Sequence, residues 1–326
     1  MDQRLEQLKI WLNDSGISYQ DIQPASADAS FRRYFRITDQ GTSLIVMDAP
    51  PEKEDCQPFI NIAGLLLKYG LNVPKILALD LNQGFILLND LGNTVFLSEL
   101  SNATVDKMYR TAMMPLLDIQ KQVLAPEQQY LPHYNETLLR RELDLFPDWY
   151  LKQHKGITLS ANQTSSLQQV FELLIKNALE QPQVCVHRDY HSRNLMVNHA
   201  DPSKPGVIDF QDAVIGAVTY DLVSLLKDCY INWPREKVEQ WVAFYYNEAT
   251  ALGILENIDS AQFLRWFDLM GLQRHLKVAG IFTRLKLRDG KTGYMKDIPR
   301  TMEYIIDTVQ LYPELKPLAT LLDDIL

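Results

Sequence analysis

His187-Arg188-Asp189-Tyr190-His191-Ser192-Arg193-Asn194-Leu195-Met196, followed after a short gap by Val207-Ile208-Asp209-Phe210-Gln211-Asp212, decides the reading of this chain. Asp189 stands five residues before Asn194, and Asp209 closes an apolar run fifteen residues after it. The trio suits phosphoryl transfer. One carboxylate takes a proton from an attacking hydroxyl, while an amide oxygen and a second carboxylate hold Mg²⁺ against nucleotide phosphates. Val184-Cys185-Val186 is β-prone, Leu195-Met196-Val197 is a second apolar run, and Asp189 to Asn194 is the loop between them. The turn Asp201-Pro202-Ser203-Lys204-Pro205-Gly206 leads into a strand at Val207-Ile208. A hairpin is therefore expected to bring Asn194 and Asp209 together, two hard oxygen donors of the kind Mg²⁺ takes. Asp189 is left free of metal, to orient and deprotonate a hydroxyl. A lone Asp-x-x-x-x-Asn means little; the joint pattern is much rarer.

The rest of the composition is that of an ordinary globular enzyme. With 326 residues, 46% hydrophobic and 22% charged, the chain can build a large core or two lobes. A net charge of −9 argues against nucleic acid or an anionic membrane as the main partner. Cys56, Cys185 and Cys229 are scattered, with neither a metal spacing nor a disulfide framework. No apolar signal core opens the chain and no run approaches membrane-spanning length, so a reduced, cytoplasmic enzyme is expected. The oligomeric state is left open.

Working outward, Leu5, Leu8 and Leu12 repeat at helical spacing over residues 2–13. Pro24-Ala25-Ser26-Ala27-Asp28-Ala29-Ser30 reads as a small-residue loop. Strands are expected at Phe31 to Thr38, Leu44 to Met47, Lys75 to Leu79 and Phe85 to Leu88, with a helix over 57–69. Asn89-Asp90-Leu91-Gly92-Asn93 reads as a hinge. Beyond it, helices are predicted at 104–123, 136–153, 163–180, 219–229, 235–252, 258–278 and 298–311. The expected architecture is α+β and bilobal: a small antiparallel-sheet lobe over residues 1–90, then a larger, mainly helical lobe over 91–326. Nucleotide would sit in the cleft.

These motifs resemble the aminoglycoside phosphotransferase and choline kinase superfamily, whose fold is protein-kinase-like. Flanking segments are most similar to the anomeric kinases of N-acetylmuramate and N-acetylglucosamine in peptidoglycan recycling. They are Ala27 to Arg36, Met47-Asp48-Ala49-Pro50-Pro51, Tyr220 to Tyr230 and Gly271 to Phe282. The resemblance covers most of the chain. It implies ATP as co-substrate, Mg²⁺, Asp189 as catalytic base, and Asn194 and Asp209 as metal ligands. It also implies that the loop Ala27 to Arg33, with Ser30, Phe31, Arg32 and Arg33, covers the nucleotide phosphates. Asn89, Asp90 and Leu91 would lie by the adenine.

Two departures stand out. The loop before the Phe31 strand has no glycine, and Met47 falls where a kinase strand carries its phosphate-binding lysine. Arg32, Arg33 or Lys53 is a candidate substitute; the plain alternative for Arg32 and Arg33 is a pair of exposed strand-edge charges. A protein kinase is disfavoured, because the Ala-Pro-Glu tripeptide at 125–127 precedes the catalytic loop. Among lesser candidates, His191 either contacts substrate or shapes the loop, and Arg193 either steadies the γ-phosphate or makes a structural ion pair. Asp212 is a candidate for a sugar hydroxyl, and Asp221 for anchoring the loop. Arg274, His275, Lys277, Arg284, Lys286 and Arg288 read first as a solvated helix face. A cation among them, or His275, would suit the lactyl carboxylate of N-acetylmuramate. Trp149, Trp233, Trp241 and Trp266 read first as packing rather than as sugar platforms. Rival readings are a kinase for another small alcohol, such as an aminoglycoside, choline or homoserine, and a nucleotide-binding pseudokinase.

Overall fold

The computed structural model describes residues 2–27, 31–122 and 131–325. Packing divides the chain into two units, Met1–Thr94 with Leu195–Asp212, and Val95–Asn194 with Ala213–Leu326. A single boundary near residue 90 leaves the Leu195–Asp212 segment on the other side.

In the first unit α1 (Gln3–Asp14) precedes β1 (Asp21–Ala27), β2 (Arg33–Asp39), β3 (Thr42–Asp48), α2 (Gln57–Lys68), β4 (Ile76–Asp80) and β5 (Phe85–Asn89). The strands form one antiparallel sheet in the order β1-β2-β3-β5-β4. Along β2 and β3 successive side chains point to opposite faces of the sheet. Phe35, Ile37 and Val46, with Phe85 and Leu87, face α1 and bury Leu8, Trp11 and Leu12. Each such side chain stabilises the fold by roughly 1.5–3 kcal/mol. α1 begins at Asp2, whose carboxylate accepts the Leu5 N–H at 3.1 Å.

The stretch read as a small-residue loop is in part an edge strand. Pro24 pairs opposite Phe35, and the register shifts between Pro24 and Ser26. A proline is tolerated there because an edge strand does not need every N–H. Pattern alone could not separate this segment from a loop, since small residues carry no burial period.

Gly84 closes the β4–β5 turn at φ +72°, and a Cβ on it would lie 1.8 Å from the Ala49 carbonyl oxygen. The Ala49 N–H in turn donates to the Gly84 carbonyl at 2.8 Å. Gly84→Ala is expected to cost about 3 kcal/mol or more, read as a lower urea midpoint with an unchanged slope. A midpoint like that of the wild type would contradict the close approach.

β7 (Leu195–Met196) and β8 (Gly206–Val207) form the expected antiparallel hairpin. It belongs to this unit through Val197 N–H to the Thr94 carbonyl and Val207 N–H to the Asn72 carbonyl, both 2.8 Å. Phe210 stacks on Phe59 of α2 at 5.0 Å.

The second unit runs through a one-turn α3 (Phe96–Glu99), α4 (Val105–Gln122), α5 (Glu136–Leu143), a π-helix (Phe146–His154) and α6 (Ala161–Leu179). After β6 (Gln183–Val186) and β9 (Val214–Ala217) come α7 (Tyr220–Leu226), α8 (Arg235–Ala251), α9 (Ser260–Leu287), α10 (Ile298–Val309) and α11 (Lys316–Ile325). The helix expected over 136–153 is two helices. The junction lies at Leu145, where a Cβ on Gly280 of α9 would come within 2.4 Å of the Leu145 carbonyl oxygen. α9 is longer than its predicted span because it is buried on several faces, so no polar stripe marks its course. β6 pairs antiparallel with β9, a strand the sequence reading did not foresee.

Candidate active site

The loop that carries Asp189 leaves β6 at His187 and is held by two carboxylates. Asp221, on α7, accepts the His187 N–H at 2.6 Å on one oxygen and the Arg188 N–H at 3.0 Å on the other. This is the anchoring expected of Asp221. Arg188 lies in the left-handed region at φ +76°, an unfavourable state for a non-glycine that persists only when its surroundings enforce it. Asp228 accepts the Ser192 N–H at 3.0 Å and the Tyr230 N–H at 3.0 Å. Burial pushes the Asp221 carboxyl up to about 6, against the pull of His187 and the two N–H donors.

Asp189 is half-buried, and the hydrogen bonds described for it are made by its backbone. Its N–H donates to His187 Nδ1 at 3.2 Å, and its carbonyl accepts from the His191 N–H at 2.9 Å and from Asn194 Nδ2 at 3.0 Å. Burial alone would raise its carboxyl. The charges of His191, Lys277, Arg274 and His187 outweigh that and hold it below the ordinary 3.8, so it is ionised at neutral pH. The same bond orients the Asn194 amide: its nitrogen is tied to the loop and its oxygen lies at the opposite edge.

Behind the loop is a buried network with no counterpart in the sequence reading. Arg188 Nη2 donates to Glu142 at 2.6 Å, and Lys277 Nζ lies 3.0 Å from the same oxygen and 2.9 Å from the Tyr220 hydroxyl. The Tyr134 hydroxyl donates to the other Glu142 oxygen. Burial raises the Glu142 carboxyl, but Lys277 and Arg188 more than offset it and hold it below its ordinary 4.5. Glu142 therefore stabilises the fold above about pH 4.5, and that contribution fades as pH falls through the depressed native value. Glu142→Gln is expected to melt lower than wild type at pH 7 and to lose less of its Tm between pH 7 and pH 4. A steeper acid decline than wild type would reverse the sign assigned to this group.

Asp209 is described within the first unit. It follows β8 at φ +66°, a conformation that aspartate tolerates better than most residues, and accepts Gln211 Nε2 at 2.9 Å. Asp212 is exposed. Among the described residues no group of three or more His, Cys, Asp or Glu side chains is placed to hold a metal ion. A carboxylate and an amide oxygen are each hard donors of the kind Mg²⁺ takes together with water and phosphate.

The expected nucleotide segments divide by face. Arg33 lies on the α1 side of the sheet, where its Nε donates to Asp48 at 3.0 Å and it pairs with Asp2. Arg4 pairs with the same Asp48. Strand parity explains this: Arg33 shares a face with Phe35 and Ile37, so its charge serves the fold rather than a phosphate. Met47 has the opposite parity to Val46 and Asp48. Arg32 Nε lies 3.8 Å from Glu54, which also accepts the Phe31 N–H at 2.9 Å, and Lys53 Nζ sits 4.6 Å over the Phe31 ring. Ser30 lies outside the described residues, as does Ala125-Pro126-Glu127. Asn89 is tied to Lys75 at both backbone and side chain. Asp90 accepts Arg36 Nε at 2.6 Å and the Gly92 N–H at 2.9 Å, while Leu91 packs against Gly206.

His191 meets Tyr230 edge-on at 5.4 Å and Arg193 covers the face of that ring at 3.5 Å. His275 is fully buried, stacked parallel on Tyr304 at 4.5 Å, with Nε2 2.9 Å from the Lys227 carbonyl. Burial drives its imidazole down to about 3, so it packs as a neutral ring in place of the expected sugar contact. Arg274 and Lys277 are buried too, which corrects the solvated-face reading for these residues, whereas Arg288 is exposed as expected. Glu142 carried no signal in the sequence: an acid on an amphipathic helix reads as a surface residue. Asp268 carried one, being flanked by Trp266-Phe267 and Leu269-Met270, and it pairs in the core with Lys227 and Arg235.

The profile of the phosphotransferase enzyme family matches residues 21–262. The chain belongs to that family. This phosphotransferase is 46% identical to a Pseudomonas aeruginosa protein named N-acetylmuramate/N-acetylglucosamine kinase, over 98% of this chain and 96% of the relative. It is 41% identical to a protein of the same name from Neisseria meningitidis, over 98% and 95%. Among solved structures, aminoglycoside phosphotransferase APH(2'')-Ib bound to ADP is similar at a TM-score of 0.62 and 13% identity, covering 94% of this chain and 99% of that one. The streptomycin–ATP–APH(2")-IIa ternary complex is similar at 0.61 and 15%, covering 91% and 96%. At those identities the likeness establishes the fold, the α+β, protein-kinase-like class expected from the sequence. No helix among the described residues is long and apolar enough to cross a membrane.

Proposed function

We propose that this phosphotransferase moves the γ-phosphoryl group of ATP to the anomeric hydroxyl of N-acetylmuramate and N-acetylglucosamine, giving the sugar 1-phosphate in cytoplasmic peptidoglycan recycling. The observation that carries the reading is identity of 41–46% over nearly the whole chain to kinases named for those two sugars. The ionised Asp189, on a loop pinned by Asp221 and Asp228, supports it chemically.

In this mechanism Asp189 accepts a hydrogen bond from the anomeric hydroxyl and aligns its oxygen with the γ-phosphorus. The new bond forms from that oxygen to phosphorus, the bond from phosphorus to the β–γ bridging oxygen breaks, and the hydroxyl proton passes to the Asp189 carboxylate. Asn194 and Asp209 would hold Mg²⁺, which when bound supplies charge neutralisation at the phosphates. Arg32 is the candidate for the role that Met47 leaves open on its strand. Positioning and fixed charge provide most of the rate enhancement.

Phosphorus NMR of the protein with ATP, Mg²⁺ and each sugar tests this. A sugar 1-phosphate resonance, split by the anomeric proton, is the expected product. ATP turnover only with another alcohol would move the substrate, and no turnover across a broad alcohol panel would leave a nucleotide-binding pseudokinase.

A further inference from the structure

Arg274, on α9, is 6% exposed and differs from the buried cations around it. Lys277 and Arg188 share Glu142, and Lys227 and Arg235 share Asp268. Arg274 has no carboxylate partner among the described residues. Its Nε donates to Ser224 Oγ at 2.5 Å, and its two terminal nitrogens donate no hydrogen bond. Neither is among the sealed, unpartnered polar atoms of the described residues, which include Nε of Arg188 and of Arg284. A guanidinium held this deep, with a serine hydroxyl in place of a carboxylate as its acceptor, bears a desolvation cost that an arriving anion would offset.

The position of this fork bears on what it could bind. Ser224 lies one helical turn along α7 from Asp221, the carboxylate that carries the His187 and Arg188 N–H groups leading into Asp189. The guanidinium is near enough that its charge contributes to holding the Asp189 carboxyl down. Arg274 is thereby linked to the loop that carries Asp189 through Ser224, α7 and Asp221.

We propose that Arg274 is the specificity-determining residue that receives a carboxylate on the acceptor sugar. The two terminal nitrogens would bind it side by side, an arrangement that a lysine cannot reproduce. Of the two sugars in the kinase reading, on which this inference rests, N-acetylmuramate carries such a group on its lactyl ether and N-acetylglucosamine does not.

The test is steady-state kinetics of the wild type, Arg274→Gln and Arg274→Lys on N-acetylmuramate, its methyl ester and N-acetylglucosamine. The wild type should favour the acid over the ester by at least about tenfold in kcat/KM, as one charge-assisted contact would give. Arg274→Gln should lose that preference, mainly through KM for N-acetylmuramate, and Arg274→Lys should keep part of it. Should Arg274→Gln not fold, Arg274→Lys alone must show the reduced acid-to-ester ratio. An equal ratio in wild type and variants, or an equal fall on all three acceptors, overturns the assignment. Wild-type turnover of N-acetylglucosamine without an acid preference overturns it while leaving the kinase reading intact; turnover of neither sugar removes both.

Discussion

Asp189→Asn is expected to lower kcat by roughly 10³-fold or more, within reach of what a positioned general base contributes together with alignment of the nucleophile. ADP affinity, measured by calorimetry, should stay within about twofold of wild type. The geometry separates these effects. The hydrogen bonds described at Asp189 belong to its backbone, from its N–H to His187 Nδ1 and to its carbonyl from His191 and Asn194. An asparagine keeps them all, and with them the orientation of the Asn194 amide. It removes only the proton acceptor and one negative charge. Loss of nucleotide binding in step with turnover would mean that residue 189 acts through the nucleotide or the fold, and retained turnover would dismiss it as the base.

Asp221→Ala should give the opposite pattern, with turnover and stability both reduced. Two buried N–H donors, of His187 and Arg188, lose their acceptor, at about 1–3 kcal/mol each. The loss is partly offset, because the wild-type carboxylate is itself strained by burial. Its pKa, raised from 3.8 to about 6, means that part of the stability present below pH 3.8 is gone once pH has risen past about 6. We expect a net cost of about 2 kcal/mol at pH 7 and a fall in kcat of at least about 10²-fold as Arg188 leaves its left-handed conformation. Between pH 4 and pH 7 the variant should also show a flatter stability profile than wild type. A stable variant with full activity would show that Arg188 is held without Asp221.

What could be read along the chain were the features that need only neighbours in sequence. Asp189, Asn194 and Asp209 stand at spacings that a loop and a hairpin impose, and the Leu195–Met196 and Gly206–Val207 strands pair as the intervening turn predicts. α1 was legible because one of its faces is wet, leaving leucines at helical spacing. The tertiary structure decided the rest, because burial by distant segments leaves no local mark. Arg33 and Arg32 are adjacent and alike in sequence, yet strand parity commits Arg33 to Asp48 and Asp2. Arg274, His275 and Lys277 read as a solvated basic run, but α9 is enclosed, so each is matched individually: Lys277 to Glu142, His275 to Tyr304, Arg274 to Ser224. Glu142 looks like any surface acid until α9 and the loop after β6 place two cations against it. Sequence by itself determined the order of the chemical groups and the elements that carry them. Which charges face a partner and which are left to meet a ligand was decided only when the long-range packing excluded water from some of them, since the energy of a charge depends on what replaces its solvent.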